Sequence, residues 1–338
     1  MKSKPKTYQS AGVNLEEADK SVAAIKHWVE STFNSQVHGK WGQFGGCFAP
    51  DLSGIKVPVL VSSTDSVGTK LLIAIQAGIH DTVGQDIVNH CVNDILTCGA
   101  RPLFFLDYIG IGSLSASVVE KIVKGIAIAC RQNDCVLIGG EMAEMPDIYK
   151  TGDYDLVGTI VGIVDRDRLV DGSRLVPGDV LVGFPSNGLH TNGYTLARKV
   201  LLSEAGYELN ARFPELEGTL GEELLRIHRS YLPIIQKFMT TVGVKAMAHI
   251  TGGGLDGNTK RVVPKGMKAE FDWSAWQVPP LFRLIQETGN IDTEEMRRVF
   301  NMGIGFVVCV GNDRVNQLIE MANSLGELPL IIGEIAKV

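Results

Sequence analysis

From Asn14 onward the apolar residues Leu15, Ala18, Val22, Ile25, Val29 and Phe33 recur every three or four positions, the period of an amphipathic helix. Asn14 with Glu17 three places on supplies a helix-start pair. A glycine-rich stretch, WGQFGGCF at 41–48, gives way to the apolar run VPVLVSS at 57–63, where Pro58 predicts an edge position or the strand's first residues. Helical spacing follows at 69–77 and 82–98, a strand at 103–111, a helix at 115–131, a strand at 135–140, a loop EMAEMP, and an alternating run YDLVGTIVGIVD at 154–165. Beyond it the pattern predicts a strand at 180–185, a loop and long helical stretches to about residue 241, and a strand KAMAHI ending in TGGG. Strands at 267–272, 304–310 and 328–334 then alternate with helices at 279–288, 292–299 and 312–324.

The elements alternate in no strict βαβ rhythm. The expected class is therefore α/β of the α+β type, with two domains, each a mixed β-sheet covered by helices. A chain of 338 residues suits two cores at about 100–200 residues per domain. The charged, turn-rich segment DRDRLVDGSRLVPGD (165–179) places the division between residues 1–165 and 166–338.

Composition narrows the partners. A net charge of -6 with scattered Lys and Arg gives no basic stripe for a nucleic acid or an anionic membrane. No run reaches the roughly 18 apolar residues of a membrane span, and the polar opening MKSKPKTYQS has no apolar signal core, so a cytoplasmic location is expected. Cys47, Cys91, Cys98, Cys130, Cys135 and Cys309 contain no CxxC pair and read as reduced core thiols, which disfavours a zinc site.

Five segments carry candidate chemistry. TDSVGTK (64–70) joins a predicted strand to a predicted helix, where free N–H groups and the cation Lys70 suit a phosphate; a tight turn with a solvated lysine is the alternative. Gly68, Thr69 and Lys70 stand in the wrong order for a Walker A loop. On the next helix Asp94 falls within the apolar stripe Val83, Ile87, Cys91, Ile95 and Cys98, so it needs a cation, a metal or a hydrogen-bond donor. Glu141 and Glu144 follow strand CVLIGG; with Asp65 and Asp94 they form a hard-oxygen set that suits Mg²⁺ and nucleotide, although Glu144 also reads as a plain surface acid. PSNGLHTNGY (185–194) gathers Asn187, His190, Thr191 and Asn192 in one turn-rich loop, where His190 is an acid, a base or a phosphate donor, or the loop is simply surface. HITGGGLDGNTKR (249–261) formally contains GxGxxG at Gly252, Gly254 and Gly257, but it lacks the βαβ context and the later acid of a dinucleotide site. A phosphate or ribose phosphate suits it better.

Together YQSAGV, TDSVGTKL, DIVNHCVNDIL, GARPLFFLDY, GGEMAEMP, DLVGTIVG, DGSRLVPGD, SNGLHTNGYTLAR, HITGGG and FNMGIG span nearly the whole chain, and it resembles the phosphoribosylformylglycinamidine cyclo-ligase family. The resemblance implies a homodimer whose N-terminal domains pair their sheets, and ATP-dependent cyclisation of formylglycinamidine ribonucleotide to aminoimidazole ribonucleotide in purine biosynthesis. It implies ATP and Mg²⁺ as cofactors and a small ribonucleotide as substrate. Carried onto this chain, Lys70 and His190 become catalytic, and Asp65, Ser66, Gly68, Thr69, Lys70 and Asn93 ATP-binding. His190, Thr191, Asn192, Gly252, Gly253 and Gly254 face the substrate, while Asp65, Asp94 and Glu141 hold the metal. The chain departs from the family pattern with Ser66 in place of glycine, Met142 in place of threonine, and Gly257, Thr259 and Lys260 near the common ENIP, Lys260 replacing the proline. Selenophosphate synthetase, thiamine-phosphate kinase and a hydrogenase maturation factor share the architecture, and a nonenzymatic nucleotide-binding protein is the alternative from another class.

Overall fold

The computed structural model describes residues 6–338. Helix α1 (Leu15–Glu30) is capped by the Asn14 side chain, which accepts the Glu17 N–H, and is followed by the short antiparallel pair β1 (Val37–His38) and β2 (Cys47–Phe48). The first half continues with β3 (Pro58–Ser66), α2 (Leu71–Ala77), α3 (Asp81–Leu96), β4 (Arg101–Ile111), α4 (Ala116–Gln132), β5 (Val136–Glu144) and β6 (Tyr154–Asp165). Its four-stranded sheet has the order β3-β6-β4-β5. Only β4 and β5 run parallel, with α4 as their crossover. β3 lies on the edge, where the missing N–H of Pro58 is harmless.

Helices α3 and α4 stack on one face of this sheet at backbone distance. A Cβ on Gly84 would lie 2.1 Å from the Ile122 carbonyl, and one on Gly125 would lie 2.1 Å from that of Asp81, so the glycines set the approach. Ile87, Ile95, Phe105 and Ile160 are sealed beneath them, each contributing about 1.5–3 kcal/mol by burial. The other face aligns Ser62, Val161 and Phe104 in one cross-strand row and Thr64, Thr159 and Leu106 in the next. These six are exposed or half-buried, and Leu60 on the same face is 66% exposed.

The second half contains β7 (Val180–Pro185), α5 (Tyr194–Arg198), α6 (Leu220–Leu224), α7 (Leu232–Val242), β8 (Ala246–His249), α8 (Gly254–Thr259), β9 (Met267–Phe271), α9 (Pro280–Gly289), α10 (Thr293–Val299), β10 (Ile304–Val310), α11 (Val315–Ser324) and β11 (Leu330–Lys337). Its sheet, β8-β10-β7-β11-β9, is antiparallel at every pairing. The chain is thus a mixed α/β protein with two separate sheets.

Two local expectations change. The long helices predicted up to residue 241 break up: a π-turn at Lys199–Glu204 ends the first, and the stretch to Thr219, with Gly206, Pro214 and Gly218, is irregular. Glu141 and Glu144, expected on a loop, belong to β5, because its parallel pairing with β4 continues to Ile111↔Glu144. Among the described residues no helix is long and apolar enough to cross a membrane.

Candidate functional site

β3 ends one residue beyond Asp65, and α3 carries His90 and Asp94 one turn apart, so both elements deliver polar groups to the seam between the two halves. Asp65 accepts from His90 Nε2 at 2.8 Å. Asp94 accepts from Ser63 Oγ at 2.7 Å and from His249 Nδ1, at the end of β8, at 2.8 Å. Burial raises the Asp65 carboxyl, but the hydrogen bond and charge of His90 outweigh it and leave it below its usual value. Burial likewise opposes ionisation of Asp94, yet the hydrogen bond and charge of His249, with His90 and Ser63, bring it down to about 2. Two ionised carboxylates therefore stand a short distance apart, and one oxygen of each lies within 4.8 Å of the other and of His90.

A cavity of 320 Å³ opens on this seam and is lined by Ser63, Asp94, His249, Asn258 and Arg261, among others. Through Asn258 the cavity wall adjoins the TGGG turn. Asn258 ties that turn together by donating to the carbonyls of Thr251, Gly252 and Gly254 at 3.2, 3.3 and 2.8 Å. Gly252 and Gly253 are exposed. Gly254 is buried with φ +63°, and a Cβ there would lie 1.8 Å from the Arg297 carbonyl, so only glycine lets α10 close against α8. Asn192 reaches the same turn, its Oδ1 3.5 Å from where a Cβ on Gly252 would stand.

The loop at 185–194 is not the surface loop its composition allowed. His190 is fully buried, holds φ +61°, stacks on His228 at 4.0 Å between centroids, and accepts the Asn187 N–H on Nε2 at 3.0 Å. Burial, reinforced by neighbouring positive groups, keeps its pKa well below the usual 6.5, so the ring is neutral and carries its proton on Nδ1. That Nδ1 and the Asn192 Nδ2 are buried donors with no hydrogen-bond partner among the described residues. Thr191 contacts His90 Nδ1 at 2.9 Å and His228 Nδ1 at 3.2 Å.

Three expectations need correction. Lys70 is not a mobile or solvated cation: its Nζ is fully buried, 2.8 Å from Asp86 Oδ2 and 2.7 Å from the Arg226 carbonyl. Burial lowers Lys70 and raises Asp86, each effect opposed by the partner's charge. The surface of this loop belongs to Gly68 and Thr69. Asn93 is also fully buried, and its amide is spent on Arg229 O and the Tyr231 N–H at 2.8 and 2.9 Å, clamping segment 228–231 rather than facing a ligand.

Glu141 does not join Asp65 and Asp94. The register Asp65↔Gly158, Gly158↔Asp107, Asp107↔Gly140 puts three strand spacings between them, about 14 Å at roughly 4.8 Å each. Glu141 instead borders a separate cavity of 370 Å³ beneath the glycine-rich loop, with Asp107, whose carboxyl burial raises to about 7. Glu144 is structural, accepting the N–H groups of Asn14 and Leu114 at 2.6 and 2.7 Å. This cavity is lined largely by apolar side chains and glycines, whereas charged and polar side chains converge at the seam.

His90, His228, Asp86 and Asn258 were not singled out in the sequence. A signal existed for two of them: Asp86, His90 and Asp94 recur every four residues, along one face of α3. The departure at Lys260 is also accounted for. This stretch is helical, Lys260 N–H donates to Asp256 O at 3.1 Å, a bond proline lacks, and the side chain is exposed.

Residues 55–164 match the family described as AIR synthase related protein, N-terminal domain, and residues 176–338 match its C-terminal domain. The chain is 46% identical over 334 residues to a phosphoribosylformylglycinamidine cyclo-ligase of Trichlorobacter lovleyi, covering 98% of this chain and 96% of the relative. It is 47% identical over 326 residues to the protein of the same name in Bacillus mycoides, covering 96% and 94%. Among solved structures it resembles thiamine-monophosphate kinase from Stenotrophomonas maltophilia, at TM-score 0.67 and 18% identity over 93% of this chain and 94% of that one. The hydrogenase maturation protein HypE in complex with ATP gives 0.65 and 18% over 92% and 84%. At these identities the two structures share the fold.

Proposed function

The chain belongs to the phosphoribosylformylglycinamidine cyclo-ligase family, and we propose that its seam closes the imidazole ring of aminoimidazole ribonucleotide using ATP. The terminal phosphoryl group of ATP passes to the formyl oxygen of formylglycinamidine ribonucleotide. An internal nitrogen then attacks the formyl carbon, the C–O bond breaks, and phosphate leaves with that oxygen. Phosphorylation turns a poor leaving group into a good one, and closure within one molecule needs chiefly the correct geometry. The relatives' near-full-length identity carries this reading.

The geometry supports a role for each residue. Asp65 and Asp94, held ionised side by side, suit Mg²⁺, which would offset phosphate charge; Glu141 is left out of that ion's shell. Ser66 and the outward-facing Gly68 and Thr69 take the ATP phosphates, while Lys70 supports their loop from within. The unfilled donors of His190 and Asn192, with the exposed backbone of Gly252 and Gly253, receive oxygens of the ribonucleotide. His190 acts as a neutral donor rather than a general base. Gly254 and Asn258 hold that backbone in place.

We further assign the domain division to residues 1–165 and 166–338, the location to the cytoplasm, and the oligomer to a homodimer formed through the outer sheet face around Leu60, Val161, Phe104 and Leu106. Substrate-dependent release of phosphate from Mg-ATP with matching formation of aminoimidazole ribonucleotide tests the activity. ATP hydrolysis indifferent to that substrate would defeat it.

A further inference from the structure

The ribonucleotide carries a phosphate besides the formyl group that reacts, and the seam meets it with two ionised carboxylates, Asp65 and Asp94. A dianion entering there needs a cation of its own. Several cations beside the seam are already engaged. Lys70 is buried against Asp86 at 2.8 Å, and Arg226 holds Glu217 and Glu223 at 2.6 and 2.8 Å. Arg229 holds Glu327, and Arg297, whose carbonyl packs on Gly254, holds Glu294 at 2.9 Å.

Arg261 differs from these four. Among the described residues it is the one cation lining the 320 Å³ cavity that it shares with Asp94 and Asn258, and its exposed side chain has no ion pair and no hydrogen bond. Lys260 beside it is exposed as well but does not line the cavity. The backbone that carries Arg261 is fixed. Its N–H donates to Asn258 O at 3.2 Å, and the Val262 N–H donates to Thr259 O at 3.1 Å. A Cβ on Gly172, at φ +79°, would lie 1.9 Å from the Val262 carbonyl oxygen, so the turn linking the two halves packs directly on this segment.

We propose that Arg261 binds the phosphate of the ribonucleotide and so sets which end of that substrate faces the magnesium carboxylates. A guanidinium suits the task because its planar fork gives two parallel N–H···O bonds to one phosphate. With the phosphate held there, the rest of the molecule lies along the cavity past Asn258 toward Asp94 and the TGGG turn, and the formyl end arrives beside Asp65 and Asp94. A volume of 320 Å³ is at the small end of ligand sites, which suits a ribose phosphate. The choice of ribonucleotide rests on the ligase reading, while the anion site itself needs only the free guanidinium and the cavity.

The test combines steady-state kinetics with calorimetric titration of ribose 5-phosphate, on the full-length wild type and on Arg261→Gln, Arg261→Lys and Lys260→Gln. Arg261→Gln should raise the ribonucleotide KM by about 10–100-fold, as loss of hydrogen bonds to a charged group does, and leave kcat and the ATP KM near wild type. Arg261→Lys, which keeps the charge but loses the fork, should fall between the two, and Lys260→Gln should match the wild type. All three variants should melt with the wild type, because both side chains are exposed. A rise in the ATP KM instead would give Arg261 to the nucleotide, and no change in either KM would leave it in solvent; either overturns the proposal. If the wild type closes no ring, the ligase reading fails and ribose 5-phosphate decides: binding weakened at least about 10-fold by Arg261→Gln supports the anion site, and absent or indifferent binding overturns it.

Discussion

Replacing Lys70 with methionine separates the two readings of the TDSVGTK loop. Lys70 and Asp86 are both fully buried and 2.8 Å apart, so Lys70→Met leaves a carboxylate enclosed without its cation and the Arg226 carbonyl without its donor. Breaking such a pair costs about 3–5 kcal/mol. At roughly 2–4 °C per kcal/mol for a unit of this size, the melting temperature should fall by about 6–20 °C. Asp86→Leu alone should also destabilise, because it strands the Lys70 ammonium and the His228 N–H that Asp86 accepts at 2.7 Å. The double variant Lys70→Met/Asp86→Leu should recover most of the loss and fall short by about 1–3 kcal/mol for that orphaned amide. Thermal and urea unfolding of the four proteins gives the coupling energy directly. A Lys70→Met protein that melts with the wild type but needs far more ATP would refute the argument, and would return Lys70 to the role of a mobile phosphate ligand.

Other outcomes are equally specific. The Asp94 carboxyl lies at about 2 in the folded protein against a usual 3.8, so it contributes stability that is present above pH 4 and lost as the pH falls toward 2; Asp94→Asn should forfeit about 2 kcal/mol at pH 7 and flatten the acid limb of a stability-versus-pH curve. Gly254→Ala should destabilise by more than about 2 kcal/mol in urea unfolding, whereas Gly257→Ala, with open space around its Cβ in the same helix, should be neutral or slightly stabilising. Leu60→Lys, on the outer sheet face, should shift sedimentation from dimer to monomer, while an unchanged dimer would move the interface elsewhere.

The strand and helix pattern was legible wherever one apolar period held across an element, as in α1, α4 and β6. It failed between α5 and α7, where apolar residues such as Leu209, Phe213 and Leu216 pack in irregular chain and mimic helical spacing. The acids showed themselves by type, but their grouping depended on register: Asp65 and Glu141 sit on opposite edge strands of one sheet, which no local spacing reveals. Lys70 was misplaced for a related reason. Its partner Asp86 lies 16 residues on, inside a helix stripe, and a buried ion pair leaves no mark at either site separately. The histidine cluster joins rings from positions 190, 228 and 249 of the second half, far apart in sequence, and His90 meets them only where the two halves dock.

The most direct measurement is phosphate release by the purified protein with Mg-ATP, with and without formylglycinamidine ribonucleotide, following aminoimidazole ribonucleotide in parallel. The account predicts phosphate and ring product appearing one for one, and only when the ribonucleotide is present. Intact ATP binding with no ring product, or ATP turnover that ignores the ribonucleotide, would contradict it.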